Sequence, residues 1–149
     1  MMIFLVMSVK SNSKIYQSGT YYSQVYFPNS MTLKLSKLWM TRYYKIICHI
    51  FPKFTQFKKN TILEIGSGYG GFINLLHNLG YKKITASDIC NNIYHTDPNY
   101  KFKIFNIEKE NTQSKYDAIL CLDVMEHINN TDLAINNIKK SLNKKGVKA

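Results

Sequence analysis

The chain has 149 residues, of which 45% are hydrophobic and 13% aromatic, so its composition predicts one globular domain and excludes wholesale disorder. Its formal net charge is +11, yet every basic residue except Arg42 is a lysine, and the lysines are spread along the chain. Because bidentate phosphate recognition favours arginine, this charge does not indicate nucleic-acid binding. The cysteines Cys48, Cys90 and Cys121 are too widely spaced for a disulfide framework or a zinc site, and no metal site is predicted.

The amino-terminal segment, residues 1–31, is predicted to be an irregular arm. Residues 10–31 are rich in Ser, Tyr, Gln and Asn and show no sustained hydrophobic period. The apolar run at residues 1–9 is far shorter than the roughly 20 residues that span a bilayer, and it lacks the basic flank of a secretory signal. No transmembrane segment is predicted, and together with the cysteine usage this favours a cytoplasmic protein.

A single domain is predicted over residues 32–149, beginning with an amphipathic helix at residues 32–51. Apolar residues recur there at three- and four-residue steps, and Pro52 ends the run. The members of this stripe are Leu35, Trp39, Tyr43, Ile46 and Ile50. A stripe of this kind predicts packing against a core, and a polar linker around residues 58–60 is expected to follow it.

Residues 61–149 alternate short apolar runs with segments of helical period, the pattern of a parallel sheet covered by helices. Strands are predicted at residues 61–65, 84–87, 101–105 and 116–122. One helix carries Phe72, Leu75, Leu76 and Leu79 and stops at Gly80, and a final helix at about residues 131–142 starts from Asn130 or Thr131 as its cap. The fold class is therefore α/β, with a parallel sheet covered by helices.

A glycine-rich turn joins the first strand to the first of these helices, with the sequence Glu64-Ile-Gly66-Ser-Gly68-Tyr-Gly70-Gly71. Glycines let the backbone turn sharply and approach a ligand, and the N–H groups of a helix start favour negative charge. Asp88 ends the second strand, where a carboxylate can accept hydrogen bonds from two ribose hydroxyls. The turn predicts a nucleotide-like cofactor, and because it also fits Gly-x-Gly-x-x-Gly, a dinucleotide remains open.

Four ordered motifs lie over about residues 61–147: the turn from Glu64 to Gly70, the acid Asp88, the run from Asp123 to Ile128, and the helical pattern from Leu133 to Gly146. Together they resemble the motifs of the class I S-adenosylmethionine-dependent methyltransferases, in their small-molecule branch. The Glu-x-Gly-x-Gly-x-Gly turn is similar to the first motif of that family, and Asp88 is similar to its ribose-binding acid. The run Asp123-Val-Met-Glu-His-Ile128 and the helical pattern from Leu133 to Gly146 complete the resemblance. The resemblance implies a Rossmann-like, doubly wound parallel sheet and S-adenosylmethionine as cofactor.

The resemblance also implies which residues bind that cofactor. Glu64 would help fix the α-amino group, and Asp88 would bind the ribose. The residues expected to line the methionine portion are Gly66, Ser67, Gly68 and Gly70, those near the adenine are Ile89, Asn106 and Ile107, and those near the methyl donor are Leu122 and Asp123. The family often has Asp where this chain has Asn106, which implies an uncharged acceptor for the adenine amine.

His127 is the candidate catalytic residue, because an imidazole at that place could accept a proton from an acceptor hydroxyl during its methylation. The alternative interpretation of His127 is local packing or hydrogen bonding at a helix start. Methyl transfer from a sulfonium depends mainly on alignment, so a base is needed only where the acceptor must lose a proton.

The resemblance implies a methyltransferase acting on a small-molecule or lipid-like acceptor. Family domains usually continue beyond a fourth strand and its helix, so the fold is expected to be incomplete and the chain carboxyl-terminally truncated and inactive alone, unless a partner chain or a homo-oligomer completes it. Two alternatives stay open: a non-catalytic partner subunit or decayed fragment, and a nicotinamide-dependent oxidoreductase.

Overall fold

The computed structural model describes residues 30–68, 70–89 and 100–143, with side chains described from residue 37. Residues 1–29 of the predicted arm, together with Cys90 and the end of the motif from Leu133 to Gly146, lie outside these ranges. The elements are α1 (Ser30–Ile50), a 3₁₀-helix (Pro52–Lys59), β1 (Thr61–Ile65), α2 (Gly71–Asn78), β2 (Lys83–Asp88), β3 (Lys101–Ile104), β4 (Ala118–Cys121), a short 3₁₀-helix (Met125–His127) and α3 (Thr131–Ser141).

The four strands form one parallel sheet in the order β3-β2-β1-β4, which confirms the predicted α/β class. In register, Ile65 at the end of β1 lies beside Ser87 of β2 and Cys121 of β4. The carboxyl ends of these three strands therefore meet at one edge of the sheet. A crossover places β2 and β4 on opposite sides of β1, so this edge contains the switch point where α/β folds bind ligands.

Helices cover both faces of the sheet. Successive residues of a strand point to opposite faces, so each strand contributes side chains to both layers of the core. Ile62 packs with residues of α1, the first 3₁₀-helix and α2, whereas its neighbour Leu63 packs with Ala134 and Ile138 of α3. This two-sided burial explains why β4 consists only of buried apolar residues. No helix in the part of the chain that the structure describes is long and apolar enough to cross a membrane.

Helix α1 confirms the predicted amphipathic helix, but its buried stripe differs from the predicted one. Among its described side chains, from residue 37 onward, Tyr43 and Ile47 are buried, and Phe51, which follows the helix, continues the stripe. The side chain of Leu35, the first member of the predicted stripe, lies outside this range. Trp39 and Ile50 are instead exposed, at 47% and 61%, and the guanidinium of Arg42 lies 5.2 Å from the centre of the Trp39 ring. A cation over an indole compensates part of the cost of its exposure.

The segment after α1 contains a 3₁₀-helix, Pro52–Lys59, that takes the place of most of the predicted linker. Pro52 ends the α-helix as predicted and is compatible with the first turn of the new one. Phe54 and Phe57 are buried, and their spacing of three residues puts both on one side of a helix with three residues per turn. Phe54 stacks on Tyr81, and the hydroxyl of Tyr81 donates to the carbonyl of Phe54 over 3.0 Å.

Strand β4 is shorter than the predicted range of 116–122. Tyr116 forms only an isolated bridge with Leu142, and Asp117 is held by the start of β1: its Oδ2 accepts from the backbone N–H of Thr61 (2.8 Å) and its Oδ1 from Asn143 (2.8 Å). These contacts fasten α3 and β4 to the amino-terminal edge of the sheet, opposite the switch point.

Candidate cofactor site

The glycine turn follows β1 directly and relies on three left-handed glycines. Gly66, Gly68 and Gly70 have φ angles of 72°, 50° and 74°, in the region where a side chain is strained. At Gly66 there is also no room, because an added Cβ would lie 2.2 Å from Cγ2 of Val124. The turn is fixed to the neighbouring strand by Ser67, whose N–H donates to the carbonyl of Ser87 over 2.9 Å.

Asp88 lies at the end of β2 and is 3% exposed. Its Oδ2 accepts a hydrogen bond from the backbone N–H of Gly68, with a distance of 2.9 Å. The structure thus brings Asp88 and the glycine turn together, as the resemblance implies. The carboxylate orders the turn while lying at the ligand edge of the sheet.

Glu64 is the most unusual acid of the site, because it is buried at 3% exposure and its Oε2 has no hydrogen-bond partner among the described residues. Burial, with a smaller contribution from the nearby charge of Asp88, raises the pKa of Glu64 well above its ordinary value. On β4, burial and the charge of Glu64 raise the pKa of the Cys121 thiol to about 12, so this thiol stays protonated. A buried carboxyl without a partner is costly unless something binds it.

The segment after β4 forms the other side of the site. Leu122 is half-buried, and Asp123 has a left-handed backbone with φ of 53°, the one positive φ among the described non-glycine residues. The carboxylate Oδ2 of Asp123 accepts a hydrogen bond from the hydroxyl of Tyr43 on α1, at 2.6 Å. Val124 then packs against Gly66, so this segment touches the glycine turn.

The residues expected near the adenine follow β2 and β3. Ile89 is exposed, at 48%, directly after Asp88. Asn106 is half-buried, and its side-chain oxygen accepts from the N–H of Glu108 over 2.9 Å, which orders the loop after β3. Ile107 is buried, and its carbonyl accepts from the side-chain amide of Asn137 on α3 over 2.8 Å. The side-chain oxygen of Asn106 and the carbonyl of Ile107 thus each accept a hydrogen bond from within the protein. The second lone pair of the Asn106 oxygen could accept from a further donor.

His127 ends the short 3₁₀-helix after β4 and is half-buried. Its backbone N–H donates to the carbonyl of Val124, which fixes the turn that follows Asp123. Beside it, Glu126 has a buried Oε2 with no hydrogen-bond partner among the described residues. The turn therefore carries an imidazole and a carboxylate close to the end of β4.

Sequence reasoning missed two residues of this site, Tyr43 and Val124. Tyr43 belongs to the helical stripe that predicts core packing, and its ring is indeed in the core. Its hydroxyl reaches a residue 80 positions away, and no local pattern signals such a contact. Val124 follows Asp123 in the quoted motif, but only the three-dimensional contact explains why Gly66 must lack a side chain.

Comparison with known proteins agrees with this fold and site. The fold is Rossmann-like, and residues 38–148 match the family described as "Methyltransferase domain". The chain belongs to this methyltransferase family. It is 31% identical over 109 residues to an uncharacterized protein of Methanocaldococcus jannaschii, covering 65% of this chain and 42% of that one. It is 29% identical over 93 residues to a ubiquinone biosynthesis O-methyltransferase of Rickettsia bellii, covering 58% and 39%.

Solved methyltransferase structures share the fold. The N-methyltransferase NodS of Bradyrhizobium japonicum, in complex with S-adenosyl-L-homocysteine, superposes with a TM-score of 0.58 at 17% identity, covering 89% of this chain and 69% of that one. Magnesium protoporphyrin IX methyltransferase of Synechocystis, with bound S-adenosylmethionine, gives 0.52 at 13% identity, covering 92% and 75%. The fold is that of the class I methyltransferases. The chain spans about two fifths of the length of the curated relatives it matches.

Proposed function

We propose that this chain binds S-adenosylmethionine at the carboxyl edge of its sheet and serves in methyl transfer to a small-molecule or lipid-like acceptor. The observation that carries the proposal is the buried Oε2 of Glu64 beside the glycine turn, which has no hydrogen-bond partner among the described residues. A cation with N–H donors compensates such a group best, and the cofactor's α-ammonium is one. The carboxyl would bind it after giving up its proton.

The neighbouring residues fit the rest of the cofactor. Asp88 lies at the end of β2, where a ribose would offer it two hydroxyl donors. The turn at Gly66, Gly68 and Gly70 presents backbone without side chains, so the methionine portion could lie close against it. Leu122 and Asp123 directly follow β4 at the same edge of the sheet. When bound, the cofactor supplies an electrophilic methyl group on a positively charged sulfur.

The class of methyl acceptor is proposed by analogy with members of the family, and the similarity to the Rickettsia bellii O-methyltransferase supports it. For a hydroxyl acceptor we further propose that His127 takes the acceptor proton as the oxygen is methylated. With a catechol as trial acceptor, His127→Ala is expected to lower turnover by about a hundredfold, the lower range of general-base catalysis, and to leave cofactor binding within about twofold. Equal turnover in both proteins would remove His127 from catalysis.

Calorimetric titration tests cofactor binding and the role of Glu64 together. The probes are S-adenosylhomocysteine, which keeps the α-ammonium, and 5′-methylthioadenosine, which lacks the amino-acid end. Glu64→Gln is expected to weaken S-adenosylhomocysteine by about tenfold or more, the value of one charge-assisted hydrogen bond, and to leave methylthioadenosine unchanged. Asp88→Asn is expected to weaken both ligands, because both contain the ribose.

The matched control is Glu110→Gln, which makes the same change at an exposed position. It should leave both affinities unchanged. Failure of the folded wild-type protein to bind S-adenosylhomocysteine would contradict the proposed function. Tighter binding of a nicotinamide dinucleotide would favour the oxidoreductase alternative instead.

A further inference from the structure

Helix α1 reaches the candidate site through one short hydrogen bond. The hydroxyl of Tyr43 donates to Oδ2 of Asp123 at 2.6 Å, a distance typical of a hydroxyl bound to a charged carboxylate. Tyr43 is 8% exposed and packs in the core, so its hydroxyl has little freedom. Asp123 is exposed, and its carboxylate could otherwise turn toward water. The buried partner therefore sets the position of the exposed one.

The backbone of Asp123 is also in a conformation that needs support. Its φ of 53° is left-handed, and strained conformations of this kind persist where the surrounding structure holds them. The next residue, Val124, occupies the space that a side chain at Gly66 would need. A shift of Asp123 would therefore be passed to the glycine turn, because the two segments are in contact.

One helical turn before Tyr43, helix α1 also approaches the other end of the glycine turn. Cγ of Met40 lies 3.5 Å from the place that a Cβ would take at Gly71, the first residue of α2. Met40 and Tyr43 are three residues apart and so lie on one face of α1. This face therefore spans from the start of α2 to the end of β4, across the glycine turn.

We infer that Tyr43 is a positioning residue of the cofactor site, whose hydroxyl holds Asp123 in the position where it lines the methyl-donor end of the cofactor pocket. The inference rests on the proposed function. It makes α1 part of the binding site, although α1 lies before every motif that carries the family resemblance. Cofactor affinity should then depend on the Tyr43 hydroxyl, although the Tyr43 ring packs in the hydrophobic core.

Removal of that hydroxyl tests the inference. Tyr43→Phe keeps the ring in the core and is expected to weaken S-adenosylhomocysteine by about fivefold to tenfold, somewhat less than the full value of a hydrogen bond to a charged group. Tyr44→Phe is the matched control, because it removes a hydroxyl from the next residue of α1, where the contact is a 3.4 Å approach to the Tyr81 hydroxyl. Its affinity should match the wild type.

Changes at Asp123 separate positioning from general destabilisation. Asp123→Asn keeps an acceptor oxygen and tolerates the left-handed backbone, so its affinity should fall between those of the wild type and Asp123→Ala. The double variant Tyr43→Phe with Asp123→Ala should bind as Asp123→Ala alone does, because the second change removes a bond already lost. Additive losses would overturn the inference.

Hydrogen exchange in the cofactor-free protein gives a readout independent of binding. Amides of residues 122–125 should exchange several-fold faster in Tyr43→Phe than in wild type or Tyr44→Phe, because the loop loses its support. Unchanged exchange, or equal affinities in wild type and Tyr43→Phe, would overturn the role of Tyr43 while leaving the proposed function intact. If the wild type failed to bind the cofactor, the proposed function would fail and the inference with it.

Discussion

At the scale of single residues, three glycines differ in whether their position requires a left-handed backbone, the absence of a Cβ, both or neither. Gly66 requires both a left-handed backbone, with φ of 72°, and the absence of a Cβ, which would lie 2.2 Å from Val124. Gly80, which ends the turn after α2, has φ of 91°, but its nearest side-chain atom would be 3.8 Å from an added Cβ. Gly71 has neither constraint, since the contact with Met40 would be an ordinary 3.5 Å.

These differences predict a graded series of alanine substitutions. Gly66→Ala should lower the free energy of unfolding by about 2–4 kcal/mol, the sum of left-handed strain and overpacking. Gly80→Ala should cost about 1 kcal/mol through strain alone, and Gly71→Ala should stay within about 0.5 kcal/mol. Urea unfolding of the three variants measures the series, and equal losses at Gly66 and Gly80 would contradict the contact with Val124.

Glu64 predicts that the cofactor-free protein loses stability as pH rises. Burial raises the pKa of Glu64, so above the ordinary value of about 4.3 the folded state retains a proton that the unfolded chain has released. The free energy of unfolding then falls with increasing pH until the raised pKa is passed. Urea titrations between about pH 5 and pH 8 should show this slope. It should be smaller in Glu64→Gln and unchanged in Glu110→Gln.

Asp117 predicts the opposite dependence. Partial burial acts to raise its pKa, but hydrogen bonds from Thr61, Asn143 and Asn60 outweigh this and lower it. Its contribution is therefore complete above the unfolded pKa of about 3.9 and is lost as pH falls through the lower folded value. Asp117→Asn should cost about 1 kcal/mol at neutral pH, and this loss should shrink as the solution is acidified through the lowered folded pKa, measured by thermal or urea unfolding. A pH-independent loss would contradict this account.

At the scale of elements, α3 begins with a side-chain cap that the sequence narrowed to two residues. The structure selects Asn130, whose side-chain oxygen accepts from the N–H of Leu133 at 3.0 Å. The N–H groups of Asn129 and Asn130 in turn donate to Glu108, at 2.9 and 2.8 Å. The start of α3 is thus fastened to the loop after β3.

Replacement of the cap should destabilise the protein measurably. Asn130→Ala is expected to lower the free energy of unfolding by about 1 kcal/mol, the usual value of an N-cap. Asn136→Ala on the exposed face of the same helix is the control, and it should be neutral or slightly stabilising because alanine favours helix. Thermal unfolding of both variants measures the two changes in stability. Equal changes would show that the hydrogen bond of the cap contributes little.

Helix α1 shows how far periodicity alone can predict an element. Its existence and its end before Pro52 follow from local chemistry, and the structure confirms both. Local chemistry does not decide whether Trp39 or Tyr43 is buried, because both fit a helical stripe. Their burial depends on which part of the fold packs against each side of the helix. The 3₁₀-helix was missed for a related reason: Phe54 and Phe57 mark it only once they are known to face a core.

At the scale of the whole molecule, stability should be greatest at the centre of the sheet. β1 pairs with β2 on one side and β4 on the other, and four of its five residues are buried. β3 pairs with β2 alone among the described strands, and three of its four residues are exposed. The two strands thus differ in pairing and in burial.

Native-state hydrogen exchange should therefore be slowest in β1 and distinctly faster in β3. Protected amides of β1 are expected to exchange through global unfolding, so their exchange free energy should equal that from urea unfolding, whereas those of β3 should open locally at lower cost. Mass spectrometry or NMR measures the order. Equal protection in both strands would contradict the central role of β1.

The sequence by itself determined the α/β class, β1 at its observed bounds, the approximate positions of the other strands, and the glycine turn with Glu64 and Asp88 on either side. These features depend on local periodicity and on backbone conformations that few residues adopt, so they can be recognised without the fold. The tertiary structure alone decided that Oε2 of Glu64 has no hydrogen-bond partner among the described residues, that Val124 closes the space over Gly66, and that Tyr43 reaches Asp123. Each of these depends on how segments distant in the chain lie against one another, and that arrangement exists only after the sheet has brought its strand ends together.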